Sequence, residues 1–272
     1  MVGSYGFTTM TFFPILSAPG CTGKTTIYNF PPNNFEDWRR KPLTINLTWA
    51  DEDHWRSVPL AELAFGSMQS YTRADLEGHL PSNDVLPLLS LSSKPLPLTC
   101  EILPKIKSSC SLPAWRATLG LTTNYATTSY QGELDPFPAP GSLLTFAPFV
   151  QFGEDISNYM LLLNLESCPK SRFSILEIYN SALPEFIIGR FEVRNNSISI
   201  IKLDCLGITP NQLPVIICKD MSGIPLYFSK TSDGSCLSLE HTHPPASYVI
   251  HGQRWDAQKL LKSNWFARLG QP

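Results

Sequence analysis

From about Gly141 to the C-terminus, short apolar runs recur at roughly ten-residue intervals with turn residues between them. Each run has the length of a strand, and such spacing predicts an antiparallel sheet protein. The runs are Ser142–Gln151, Asn158–Glu166, Arg172–Asn180, Glu185–Arg194, Ser197–Asp204, Pro214–Asp220, Ile224–Lys230 and Cys236–His243. Regular spacing along the chain predicts a meander. Phe191 and Val193 alternate with polar neighbours before Asn195-Asn196, and Ile198 and Ile200 alternate after it, which predicts a tight hairpin because asparagine tolerates positive φ. Asp220–Gly223 and Ser232–Gly234 carry similar turn chemistry.

Past residue 255 the period changes from two to that of a helix. Asp256 can cap a segment in which Leu261, Trp265, Phe266 and Leu269 recur on one face and Gly270 follows. This predicts one amphipathic helix packed on the sheet. In the N-terminal third, Thr44–Trp49 predicts a strand, and short helices are expected near Ser57–Phe65 and at Thr72–His79, where Thr72 and Asp75 have capping spacing. Leu86–Leu112 is rich in Pro, Leu and Ser, and its leucines are too frequent for a solvated linker. An extended segment lying across the body of the protein is expected there. The fold class is thus mostly β: an antiparallel sandwich or jelly-roll-like body over 111–272, with a C-terminal helix, preceded by a Pro-rich region of mixed structure over 1–110.

Composition alters this picture in one respect. The 272 residues carry 21 Lys+Arg against 23 Asp+Glu, a formal charge of −2, and only 16% are charged where roughly 25% is usual. A near-neutral chain lacks the cationic footprint of non-specific nucleic-acid binding. The seven cysteines show no CxxC pair and no structural-zinc spacing. Cys205, Cys218 and Cys236 fall in strand-like stretches, where a free cysteine behaves as a small buried apolar residue. A reducing, cytoplasmic location is expected rather than secretion. No apolar run is long enough to span a membrane as a helix, and Phe7–Ala18 lacks a preceding basic residue and contains Pro14, so it does not read as a secretory signal. The sequons at Asn46 and Asn195 are treated as chance.

Four groups of residues could carry chemistry. In Thr122–Glu133, hydroxyls, amides, two tyrosines and a carboxylate crowd together just after Trp115-Arg116. A sugar needs such hydrogen-bonding partners for its hydroxyls and a ring for its C–H face. Arg116, Asn124, Tyr125, Thr127, Thr128, Tyr130 and Glu133 are the candidate ligand-binding residues; a water-facing strand rich in Thr and Tyr is the plainer account.

The second group is Ser238–Pro245. A strand would place Leu237, Leu239, His241 and His243 on one face and Glu240 on the other. That His-x-His geometry is similar to the way small barrels of the cupin type present two metal ligands. The likeness stops at geometry, because Gly234 is misplaced and Pro244-Pro245 stand where a glutamate belongs. His241, His243 and His251 are the candidate metal ligands for a divalent cation, and with Glu240 they are the candidate catalytic groups; histidines at the rim of a sheet are the plainer account.

The third, Ala18–Thr25 (APGCTGKT), satisfies a permissive P-loop pattern, but Pro31-Pro32 forbids the long helix whose N-terminus would hold phosphate. The fourth, Ala50–Trp55 (ADEDHW), reads as a solvated acidic turn. Together these features give the primary expectation of a soluble β-rich protein binding a neutral polar ligand such as a carbohydrate. A histidine-centred enzyme acting on a similar substrate is the alternative. A structural or assembly subunit, possible as a homo-oligomer because subunit contacts deplete Lys and Glu, is the third reading.

Overall fold

A computed structural model describes residues 12–29, 42–104, 117–131, 134, 136–137, 142–147, 150–241, 260 and 263–269. The chain is mostly β, and its described residues form four antiparallel sheets. It divides into two units. Unit 1 comprises Met1–Phe137, Leu165–Ser171 and Asn196–Ile198, and unit 2 comprises Pro138–Asn164, Arg172–Asn195 and Ser199–Pro272. No described helix is long and apolar enough to cross a membrane.

Unit 1 holds a five-stranded sheet, ordered β1(Phe13–Pro14), β6(Leu88–Ser92), β3(Leu43–Asp51), β4(His54–Leu63), β7(Thr99–Cys100), and a four-stranded sheet, ordered β5(Met68–Thr72), β2(Thr22–Tyr28), β8(Ala117–Thr122), β9(Thr127–Tyr130). The predicted Thr44–Trp49 strand is therefore the centre of β3. Ser57–Phe65, expected as a helix, is instead mostly β4, paired with both β3 and β7. Pro59, which opposes a helix, sits beside a register shift where β4 has one residue more than β3. At Thr72–His79 only a 3-10 turn forms, Ala74–Leu76, and the Asp75 carboxylate reaches back to accept from the Thr72 N–H and hydroxyl, both at 2.7 Å.

Both faces of β3 and β6 are buried, and one of them is polar: Thr44, Asn46, Thr48, Ser90 and Ser92 lie on it in register with Ser57 of β4. The Pro-, Leu- and Ser-rich stretch accounts for this. It supplies β6 itself, and its continuation crosses the polar face with Leu96 buried there and β7 paired to β4. Asn46 fastens the crossing. Its Nδ2 donates to Ser92 Oγ at 2.8 Å and to Thr44 O at 3.2 Å, and its Oδ1 accepts the Leu96 N–H at 3.0 Å.

Unit 2 is a sandwich of two four-stranded sheets. One is ordered β10(Leu143–Phe146), β15(Pro214–Cys218), β12(Phe173–Asn180), β13(Leu183–Arg194), and the other β14(Ser197–Lys202), β11(Ile156–Asn164), β16(Ile224–Thr231), β17(Leu237–His241). Met160, Leu162 and Tyr227 from one sheet and Leu176, Ile178, Val193 and Ile216 from the other form the shared core. Inside it, the Tyr227 hydroxyl bonds to Thr145 Oγ1 at 3.1 Å, and burial pushes the Tyr227 phenol well above its ordinary range. All eight apolar runs are strands, but they are not a meander: only β12–β13 and β16–β17 are neighbours both in sequence and in a sheet.

The Asn195-Asn196 hairpin is a further correction. Asn196 has the expected positive φ of 49°, yet β13 and β14 belong to different sheets. Both asparagines are buried, and their amides bind backbone: Asn195 Oδ1 accepts from Arg172 N at 2.9 Å, and Asn196 Oδ1 accepts from Glu166 N at 2.8 Å while its Nδ2 donates to Cys168 O at 2.9 Å. Asn46 and Asn195, the two sequon residues, are thus interior groups engaged in hydrogen bonds. Cys218 is buried as expected, whereas Cys205, in the 3-10 turn Asp204–Leu206, and Cys236, in the loop before β17, are exposed.

Residues 263–268 are helical. Trp265, Phe266 and Leu269 pack on Tyr179, Val215 and Ile217 beside Leu144 and Phe146, as the amphipathic pattern predicts. The Trp265 ring meets Phe146 edge-on at 5.5 Å, and the Arg268 guanidinium lies 4.6 Å from the Trp265 ring centre. Asp256 and Leu261 lie outside the described residues.

Removing one buried amide tests this arrangement. Asn46→Ala leaves the Leu96 N–H without its acceptor and removes the donor to the Ser92 oxygen, whose hydroxyl still donates to Lys94 O, and it is expected to lower stability by about 2–3 kcal/mol, read as a drop in the urea midpoint at unchanged slope.

Candidate functional site

The clearest concentration of exposed polar chemistry is one face of the β5-β2-β8-β9 sheet. In β2, Thr22, Lys24, Thr26 and Tyr28 alternate with buried Gly23, Thr25 and Ile27. The buried positions are fixed from within: Thr25 Oγ1 donates to Pro14 O at 2.8 Å, and a Cβ added at Gly23 would come within 1.8 Å of the Leu16 carbonyl oxygen. Gly23 is therefore a packing glycine in a strand, and Lys24 stands on a strand rather than at a helix N-terminus. The P-loop pattern has no P-loop structure here.

Register brings the outward residues into rows. Thr22 lies opposite Thr122, which lies opposite Thr127; Thr72, Lys24, Gly120 and Ser129 form the next row, and Ser70, Thr26 and Thr118 the one after. Hydroxyls bond across the strands. Thr26 and Ser70 oxygens are 2.8 Å apart, Thr122 and Thr127 3.2 Å, and Tyr28 bonds to Thr118. Each such pair spends one hydroxyl proton internally and leaves the other, together with lone pairs, for a ligand. Gly120, itself buried, adds no side chain to its row between Lys24 and Ser129.

The β8–β9 turn carries the aromatic element. Thr123 Oγ1 accepts the Tyr125 N–H at 3.2 Å and the Ala126 N–H at 3.1 Å, and the Thr123 N–H donates to Ala126 O at 2.9 Å. This fixes the turn and leaves Tyr125 75% exposed at its tip. Of the residues read from sequence as ligand-binding, Asn124 and Tyr125 are exposed in the turn and Thr127 belongs to the outward rows. Strand alternation puts Thr128 and Tyr130 on the opposite, half-buried side. Arg116 and Glu133 lie outside the described residues. Thr26, Ser70 and Thr118 carry no sequence expectation, while Thr22 and Lys24 enter only through the P-loop pattern and Thr72 only as a cap; the alternation of polar residues along β2 is the signal that marks this face.

The histidine group is only partly placed. Leu237, Leu239 and His241 do share a face of β17, with His241 opposite Leu226 and Leu239 opposite Phe228, while Glu240 lies opposite Tyr227 and is exposed. His243 and His251 lie outside the described residues. Among the described residues no three His, Cys, Asp or Glu side chains are grouped as a metal site. The acidic run at Ala50–Trp55 is the β3–β4 turn, with Glu52 at φ 51° and Asp51 paired to Arg56 at 2.9 Å. Comparison with protein-family models, with curated proteins and with solved structures gives no match.

The loop that starts β17 is set by one carboxylate. Asp233 Oδ1 accepts the Ser235 N–H at 2.9 Å and the Thr231 hydroxyl at 2.7 Å, and these bonds hold the carboxyl at about 2, below its ordinary value of about 4. A carboxyl depressed in the folded state contributes stability above its unfolded value, and that contribution fades as pH falls through the folded value. Asp233→Asn, whose amide oxygen can still accept, is expected to flatten the fall in thermal midpoint between pH 5 and pH 2 relative to wild type.

Proposed function

We propose that the protein binds a neutral polar ligand, a carbohydrate, on the outward face of the β5-β2-β8-β9 sheet. The observation that carries this reading is the set of cross-strand hydroxyl rows, Thr22–Thr122–Thr127 and Ser70–Thr26–Thr118, held in place by bonds between neighbouring strands. A sugar presents vicinal hydroxyls that both donate and accept, and hydroxyl partners already oriented lose little side-chain entropy on binding. Lys24 is the one cationic side chain of the rows, so recognition rests on hydrogen bonding. Tyr125 offers a ring at the edge of this face for the C–H side of a pyranose.

A glycan array probed with the full chain is expected to show binding to neutral oligosaccharides. Tyr125→Ala, and separately the near-isosteric pair Thr122→Val with Thr127→Val, are each expected to weaken binding about tenfold, corresponding to about 1.4 kcal/mol. Absence of binding across the array, or variants that bind as wild type does, would overturn the proposal.

A further inference from the structure

The long edge strand β13 presents apolar and charged side chains together. It ends the β10-β15-β12-β13 sheet, and among the described residues it pairs with β12 alone, the Arg194 N–H at its C-terminal end donating to Ser199 Oγ at 3.3 Å. Next to it on β12, Phe173 is 59% and Ile175 52% exposed, and on β13 itself Phe186 is 59% exposed, with Leu183 and Ile187 also open. A sheet-edge strand with exposed side chains at Arg190 and Glu192, bordered by large apolar side chains, is a template for pairing with another chain.

The charge order along β13 says which chain. Arg190 and Glu192 are exposed and stand two apart, so they share one face. Two copies of this strand running antiparallel about a two-fold axis through Phe191 place position 190 opposite position 192, because the numbers of facing residues sum to a constant. Arg190 of each copy then faces Glu192 of the other, twice over. An interface with two-fold symmetry has to be complementary to itself, and this order is. Register inside the protomer extends the row: Glu192 lies beside Ile175, and Arg190 beside Glu177, whose Oε1 is 3.0 Å from Arg190 Nε. Across the junction a row reads Ile175, Glu192, then Arg190 and Glu177 of the second copy, so that each guanidinium lies between two carboxylates. A guanidinium has five N–H donors in a fixed fork and can serve both.

We propose that the β13 edge pairs with the same edge of a second copy of this chain, forming an antiparallel two-fold dimer centred on Phe191. The two four-stranded sheets become one eight-stranded sheet across the axis. Phe173 and Ile175 then flank the new strand pair on each side.

Charge reversal tests the register directly. Sedimentation equilibrium of the full chain is expected to give twice the 30.3 kDa chain mass. Arg190→Glu sets carboxylate against carboxylate at both facing positions, and Glu192→Arg sets guanidinium against guanidinium there, so each variant alone is expected to run as a monomer. Mixed in equal amounts, the two variants face each other with one row of carboxylates and one row of guanidinium groups. Opposite charges then meet at both positions, and a heterodimer is expected to form. Glu192→Arg leaves the Arg190–Glu177 bridge intact, so its monomer state, checked against an unchanged far-UV spectrum, stands as a test even where Arg190→Glu folds poorly. A wild-type monomer at every concentration, variants that remain dimeric, or a mixture of folded variants that fails to pair would each overturn the proposal.

Discussion

A buried amide has to be hydrogen-bonded, and in this chain that requirement is met by asparagine side chains standing in for backbone. Asn29 donates to Leu63 O, Asn46 accepts from Leu96 N, Asn158 both accepts from Gln151 N and donates to Gln151 O, Asn180 accepts from Ala182 N, Asn195 accepts from Arg172 N, and Asn196 binds the segment from Glu166 to Pro169. Every one of these asparagines is buried. Each carries a donor and an acceptor on one short arm, the same pair a strand neighbour would offer. A loop that crosses a sheet face or leaves a sheet edge can therefore be held without a further strand. Leaving any of these amides unpaired would cost about 1–3 kcal/mol, so the loops and the sandwich layers are specified together.

The low charge of the sequence follows from the same arrangement. Inside the two units amides and hydroxyls bond to one another, as in the Asn158–Ser229 bond at 2.7 Å and the Thr48–Ser57 bond at 2.9 Å, while the carboxylates of Asp51, Asp75 and Asp233 serve exposed turns. Neutral groups avoid the desolvation cost that buried charges carry. Ser and Thr then serve two purposes. In β3 and β6 they are covered by the chain's own Pro- and Leu-rich stretch, while in β2, β5, β8 and β9 they are left facing outward, which is why the latter face is the one read as a binding surface.

The strands were readable because alternation and run length are local properties. Sheet order was not, since pairing β15 between β10 and β12 joins segments some 70 and 40 residues apart, and no local pattern records that choice. Asn195-Asn196 shows the limit sharply: positive φ at Asn196 was foreseeable, but whether a chain reversal closes a hairpin or changes sheet depends on which strand offers a free edge. Ser57–Phe65 misled because its apolar spacing suits either period and Pro59 can sit at a bulge as well as end a helix. At the candidate site, Thr122–Tyr130 stood out as one dense polar segment. Its partners in β2 and β5 are spread over 50 to 100 residues and become a surface only through register, and alternation removed Thr128 and Tyr130 from the face that the segment's composition had suggested.

Hydrogen–deuterium exchange of the native protein tests the role of the asparagines most directly. The amides of Leu96, Gln151, Glu166 and Arg172 lie outside regular strands, yet each donates to an asparagine side chain. They are expected to be protected to the same degree as amides in β3, β11 and β12. Exchange of these four at the rate of exposed turn amides such as those of Glu52 and Asp53 would contradict the account.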